Sequence, residues 1–149
     1  MALILRPDLN DMIGAHAKGA FPGECCGLLE GHRGRSDIVV EAIWPTRNLS
    51  SAPDRFEIDP ADHFRVLRAA RERGRSIIGC FHSHPNGLAS PSPRDRDGAS
   101  DEHFIWIIAA LNGAGMAPAI LAYEYEGGAF VPLAIRTSIA SSAGTFASR

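Results

Sequence analysis

Residues Ser76 to Pro85, reading Ser-Ile-Ile-Gly-Cys-Phe-His-Ser-His-Pro, constrain the fold more than any other stretch of this 149-residue chain. Gly74 ends whatever precedes the run, and Pro85 ends the run itself, so its apolar residues form a strand. Strand side chains alternate between faces. Ile78, Cys80, His82 and His84 are therefore expected on one face, and Ile77, Gly79, Phe81 and Ser83 on the other. Two imidazoles then project together from the end of an apolar strand. The segment Pro85 to Pro91 that follows is irregular, and Ser92-Pro93-Arg94-Asp95 reads as a helix start with a cap, a first-turn proline and an acid at N3.

The rest of the chain supplies partners for that strand. Leu9, Met12, Ile13, His16 and Ala20 recur at helical spacing, so a first helix is expected from about Pro7 to Ala20, stopped by Pro22-Gly23. Cys26 to Glu30 and Ile38 to Trp44 read as a hairpin turning at Gly31 to Gly34. After a polar stretch from Pro45 to Arg55, Phe56 to Ile58 reads as a short strand. Asp59-Pro60-Ala61-Asp62 then starts a second helix that carries Phe64, Leu67 and Arg71 and ends at Gly74. Strands near 104–111, 119–125 and 129–135 complete an α/β domain, a mixed β-sheet flanked by helices over residues 1–136. Residues 137–149 read as a flexible C-terminal tail.

Bulk properties narrow the partners. A net charge of -2 gives no reason to expect nucleic acid or an anionic membrane. Arg65, Arg68, Arg71, Arg73 and Arg75, interleaved with acids at helical spacing, read as a solvated helix face. Phe104 to Tyr123 has no charged residue and is long enough to span a bilayer. Asn112-Gly113-Ala114-Gly115 and Pro118 instead make it two buried strands and a loop. Three cysteines, two of them adjacent, do not form a disulfide framework, which fits a reducing cytoplasm. Met1 to Asn10 has no signal-peptide pattern.

By spacing alone, His82 and His84 are either a metal pair or two structural histidines. Asp95 is accounted for by the helix cap without any metal. If all three face one point, two imidazoles and a carboxylate make a three-ligand zinc site with its fourth position open to water. Other chemistries fit less well. The chain lacks the His-x-Glu and Pro-Cys-x-x-Cys of zinc deaminases, the His-Glu-x-x-His helix of common metalloproteases, and any paired Cys-x-x-Cys. Cys25 and Cys26 border an apolar strand, where a thiol stays protonated and inert, and Cys80 reads as a buried structural thiol. His16, His32, His63 and His103 lack a partner pattern.

His82-Ser83-His84-Pro85 followed by Ser92 and Asp95 resembles the JAMM motif of the MPN metalloprotease family. Pro22-Gly23-Glu24-Cys25-Cys26-Gly27-Leu28-Leu29 resembles the segment that carries the family's essential glutamate, and the likeness covers about residues 3 to 135. The resemblance implies a single-domain MPN, cytidine-deaminase-like fold of the small bacterial type. It implies one zinc ion per chain held by His82, His84 and Asp95 with a bound water, Glu24 as the proton carrier, and Ser92 as an oxyanion donor. Relatives hydrolyse amide bonds, so the implied activity is that of a zinc metallopeptidase or isopeptidase. The implied substrate is the C-terminal Gly-Gly tail of a ubiquitin-like sulfur-carrier protein. Such a tail is expected to add to an exposed strand edge, with Pro45 to Phe56 and Pro85 to Pro91 as walls. Cell-wall or phage-tail peptide hydrolysis and a non-catalytic scaffold role are the alternatives, and a homodimer is left open.

Overall fold

The structure, a computed structural model, describes residues 1–113 and 115–138. Along the chain run β1 (Ala2–Ile4), α1 (Pro7–Ala20), β2 (Cys26–Arg33), β3 (Asp37–Thr46), α2 (Pro60–Glu72), β4 (Ser76–His84) and α3 (Pro93–Gly98). They are followed by β5 (Ile105–Ala110), β6 (Ala119–Glu126), β7 (Ala129–Leu133) and β8 (Ile135–Arg136). Among the described residues the strands form one eight-stranded sheet, ordered β7-β6-β5-β4-β2-β3-β1-β8. The apolar run lies near its centre, with β4 antiparallel to β2 and parallel to β5. The fold is the expected mixed sheet with helices on its faces.

Each helix buries one stripe. In α1, Leu9, Ile13 and Ala17 repeat every four residues and pack with Leu29, Phe81 and Ile107 on one face of the sheet. Met12 and His16, which share the periodicity, sit at the side of that stripe and face solvent. On the other face α2 starts at the Asp59 cap, whose side chain accepts from the Ala61 amide at 2.9 Å. Its inward stripe is Asp62, Val66 and Ala70, and Val66 packs with Leu28, Cys80 and Trp106. Phe64 and Leu67 are turned outward, because choosing Val66 as the stripe rotates both away from the sheet. The five arginines expected on a solvated face are exposed.

A bulge corrects the expected alternation of β4. Opposite β2, Leu29 faces Gly79 but Glu30 faces Ile77, so Ile78 is an extra residue. Ile77 therefore joins the layer of Cys80, and Ile78 joins that of Phe81, the reverse of the expectation. From Gly79 to His84 the alternation holds. Two short strands, β1 and β8, were not expected, since two or three residues show no period. The expected strand at Phe56 to Ile58 is reduced to one bridge between Asn48 and Ile58. Asn48 Oδ1 accepts from the Ser50 and Glu57 amides at 3.0 and 2.8 Å, and a side chain competing for backbone donors breaks a ladder.

Gly79 is required by the β4–β5 pairing, because a Cβ there would collide with the Ile105 carbonyl of the neighbouring strand. A backbone carbonyl cannot rotate aside as a side-chain end can. Gly79→Ala is expected to destabilise by about 2 kcal/mol, read as a fall of several degrees in the melting temperature. An unchanged melting curve would show that the two strands separate freely here. Phe104 to Tyr123 forms β5, a loop and most of β6, and no described helix is long and apolar enough to cross a membrane. Beyond residue 138, the expected tail lies outside the described residues.

Candidate metal centre

At the end of β4 the alternation brings His82 and His84 to one point, with Nε2 atoms 2.9 Å apart. The first turn of α3 delivers Asp95 to the same point: its Oδ2 lies 3.2 Å from His82 Nε2 and 3.1 Å from His84 Nε2. All three side chains are buried. Asp95 is also the helix cap that its sequence setting suggests. Its Oδ2 accepts from the Ser92 amide at 2.9 Å while its own amide donates to Ser92 Oγ at 3.1 Å. The carboxylate is thus held by the Ser92 amide before anything binds it.

The two imidazoles are oriented by different means. His84 Nδ1 donates to the Leu88 carbonyl at 2.7 Å, which turns Nε2 toward the cluster. His82 Nδ1 is buried without a partner. Its ring is held instead by Phe56, stacked at 4.4 Å and 24°, and by the edge of Trp106 at 5.9 Å. Burial lowers the His82 pKa against the pull of Asp95. Burial also opposes charge on His84, but hydrogen bonds to Asp95 and the Leu88 carbonyl outweigh it, and the pKa rises. For Asp95, burial is overcome by hydrogen bonds from His82 and His84, which hold the carboxyl below the usual range.

Glu24 enters from the loop between α1 and β2. A carboxylate oxygen of Glu24 and one nitrogen of each histidine lie within 4.8 Å of one another. Glu24 Oε1 is buried without a hydrogen-bond partner, and burial pushes the carboxyl up to about 7. Nothing in the sequence ties Glu24 to the histidines, yet the tie is short. The Cys25 amide donates to Ser83 Oγ at 2.8 Å, and the Ser83 amide donates to the Cys25 carbonyl at 3.1 Å. Ser83 lies between the two histidines and faces away from them, so it clamps the Glu24 loop to the strand that carries them. Asn48 adds a second clamp, donating from Nδ2 to the Glu24 carbonyl at 2.9 Å.

Sequence reasoning missed Ser83, Asn48, Phe56 and the Leu88 carbonyl. Only Asn48 carries a local signal, as an Asx-turn residue two before Ser50. The other four histidines stay outside the cluster, and two pair with acids: His32 with Glu41 at 2.5 Å and His103 with Glu124 at 2.8 Å. All three cysteines are free. Burial pushes the Cys25 thiol up to about 11 and the Cys80 thiol far above its ordinary value, so neither is an active nucleophile.

These residues fit a divalent metal ion. Two imidazole nitrogens and a carboxylate oxygen converge within 3.2 Å, a ligand set that suits a divalent cation once the rings give up their protons. The unpartnered Glu24 oxygen stands beside it. The cluster opens onto a cleft of about 590 Å³. Its walls take Pro53 and Asp54 from one expected segment and Pro85 and Asn86 from the other, facing Phe21 and Pro22. β4 itself, flanked by β2 and β5, has no free edge for a peptide to extend. The expected addition of a tail to a strand edge is therefore not available on the strand that carries the histidines.

Comparisons with known proteins identify the family. The family described as prokaryotic homologs of the JAB domain matches residues 6–122. The chain is 32% identical over 139 residues to a desampylase of Haloferax volcanii, covering 89% of this chain and 94% of that one. It is 32% identical over 107 residues to the CysO-cysteine peptidase of Mycobacterium tuberculosis, covering 70% and 72%. A solution structure of a Desulfitobacterium hafniense protein superposes with a TM-score of 0.77 at 31% identity, covering 91% and 92%. With its cluster of two histidines and two acids in the expected fold, the chain belongs to the small prokaryotic branch of the JAMM/MPN family.

Proposed function

We propose that this chain is a zinc-dependent peptidase or isopeptidase acting on the amide bond after the C-terminal Gly-Gly of a ubiquitin-like sulfur-carrier protein. The observation that carries the reading is the buried convergence of His82, His84 and Asp95 beside an unpartnered Glu24. The names of the relatives, a desampylase and a CysO-cysteine peptidase, support the substrate class. The catalytic unit is residues 1–136, and three free thiols fit a reducing cytoplasm.

His82, His84 and Asp95 would hold the zinc. When bound, the ion supplies Lewis acidity that acidifies a water and polarises the scissile carbonyl. Glu24, with a carboxyl poised near neutrality, takes the proton of the attacking water and hands it to the leaving amine. Ser92 Oγ already accepts from the Asp95 amide, which leaves the hydroxyl hydrogen to donate to the developing oxyanion. Pro22, Pro53, Pro85 and Pro93 line the cleft around these groups.

Elemental analysis of protein purified without chelator, beside His82→Ala prepared identically, tests the reading. About one zinc per chain, lost in the variant, is expected of a three-ligand site. No metal in either sample, even after zinc is restored, would overturn it.

A further inference from the structure

The cleft carries an ion pair for which the hydrolytic roles above have no use. Arg94, in the first turn of α3, lies between the oxyanion donor Ser92 and the ligand Asp95. Its Nε lies 3.3 Å from Asp54 Oδ2, an ion pair. Both side chains line the same cleft as Glu24, His84 and Ser92, whereas Phe21, Pro22, Pro53 and Pro93 make much of the remaining wall apolar. A guanidinium on the rim of an apolar cleft, beside the reacting groups, is a carboxylate receptor. Asp54 shows what chemistry it accepts. Because both partners are about half exposed or more, their pairing is weak, and another carboxylate displaces Asp54 at little cost.

We propose that Arg94 binds the free α-carboxylate of the leaving group. The preferred substrate is then a carrier joined through its C-terminal carboxyl to the α-amine of a single amino acid, ahead of an isopeptide to a lysine side chain. This inference rests on the peptidase reading above. Water adds to the carbonyl and the carbon–nitrogen bond breaks. The carrier departs as a carboxylate, and the amino acid departs with the transferred proton on its amine. In such a leaving group the carboxylate carbon is two bonds from the scissile nitrogen, so both lie in one cleft. A lysine leaving group places a four-carbon stem there and no negative charge. A longer peptide moves its carboxylate away by about 3.5 Å per added residue.

The test uses the zinc-loaded full chain and acetyl-Val-Gly-Gly-Ala, once with a free C-terminal carboxylate and once as the carboxamide. The ratio of kcat/KM for acid over amide, taken within each protein, cancels general effects of a substitution. Wild type is expected to favour the acid by about tenfold or more. Arg94→Gln should bring the ratio near one, Arg94→Lys should leave it intermediate, and Asp54→Asn should raise it by removing the competitor. Equilibrium binding of the same peptides to zinc-loaded Glu24→Gln should show the same order without turnover. Equal rates on both peptides in wild type, or a ratio unchanged in Arg94→Gln, would remove the subsite and leave the peptidase standing. Hydrolysis of neither peptide by zinc-loaded wild type, with equal binding of both, would overturn subsite and peptidase together.

Discussion

Glu24→Gln is expected to keep its metal and lose hydrolysis by about a thousandfold, within the range of a general acid–base contribution. The loss follows from the environment of the carboxyl. Burial raises its pKa most, His84 and Arg94 oppose the rise, and Asp95 and Asp54 add to it, leaving a value of about 7. The carboxylate is the form that accepts a proton, so kcat/KM increases with pH across an acidic limb. A cation bound beside Glu24 favours the carboxylate, which places the limb at or below about pH 7 in the loaded protein. The limb should vanish in Glu24→Gln. A limb that persists, or turnover that survives, would remove Glu24 from the mechanism.

The same shift affects stability, with a definite sign. Between its ordinary value of 4.5 and about 7, the folded state holds a proton on Glu24 that the unfolded state has released. Stability of the metal-free protein therefore falls as pH rises through that window. Replacing the carboxyl with an amide relieves at most about 3 kcal/mol above it. Metal-free Glu24→Gln should melt above wild type at about pH 8, with the gap closing at about pH 4. A group that costs stability where it is most useful is the pattern expected of a working acid or base.

Asp95→Ala is the second large effect, because one side chain serves two structures. Loss of a direct ligand should weaken metal retention by at least about a hundredfold. Loss of the acceptor for the Ser92 amide should cost about 1 kcal/mol of helix capping in the metal-free protein. Asp95→Asn separates the two roles, since its amide oxygen still caps the helix while the charge is gone. Metal content should fall in both variants, and the metal-free melting temperature should fall further in Asp95→Ala. Full zinc occupancy in Asp95→Ala, with only the melting temperature lowered, would make Asp95 a cap alone.

The cap chemistry at Asp59 and Ser92 was legible because it depends on residues within four positions of one another. The shared face of His82 and His84 was legible because the strand period is short and no bulge falls between them. The same argument failed four residues earlier, where Ile78 is inserted opposite β2 and exchanges the faces of Ile77 and Ile78. In α2 the period was legible, but it did not say which stripe is buried. Phe64 and Leu67 are more apolar than Ala70, and only the closeness of helix and sheet favours the smaller side chain.

The sequence by itself determined the order of elements, the helix starts and the pairing of two imidazoles at one strand end, since each is a matter of local period and local hydrogen bonding. Tertiary structure alone decided what surrounds that pair. Glu24 reaches it because the Cys25 amide, 58 residues before Ser83, donates to that serine's hydroxyl. Phe56 covers His82, and Asp54 meets Arg94, because the loop from Asn48 to Ile58 folds back across the cleft. Those contacts join residues distant along the chain, and no local propensity specifies them. They exist only once α1 and α2 have packed on opposite faces of the sheet and brought their connecting loops to the same end of β4.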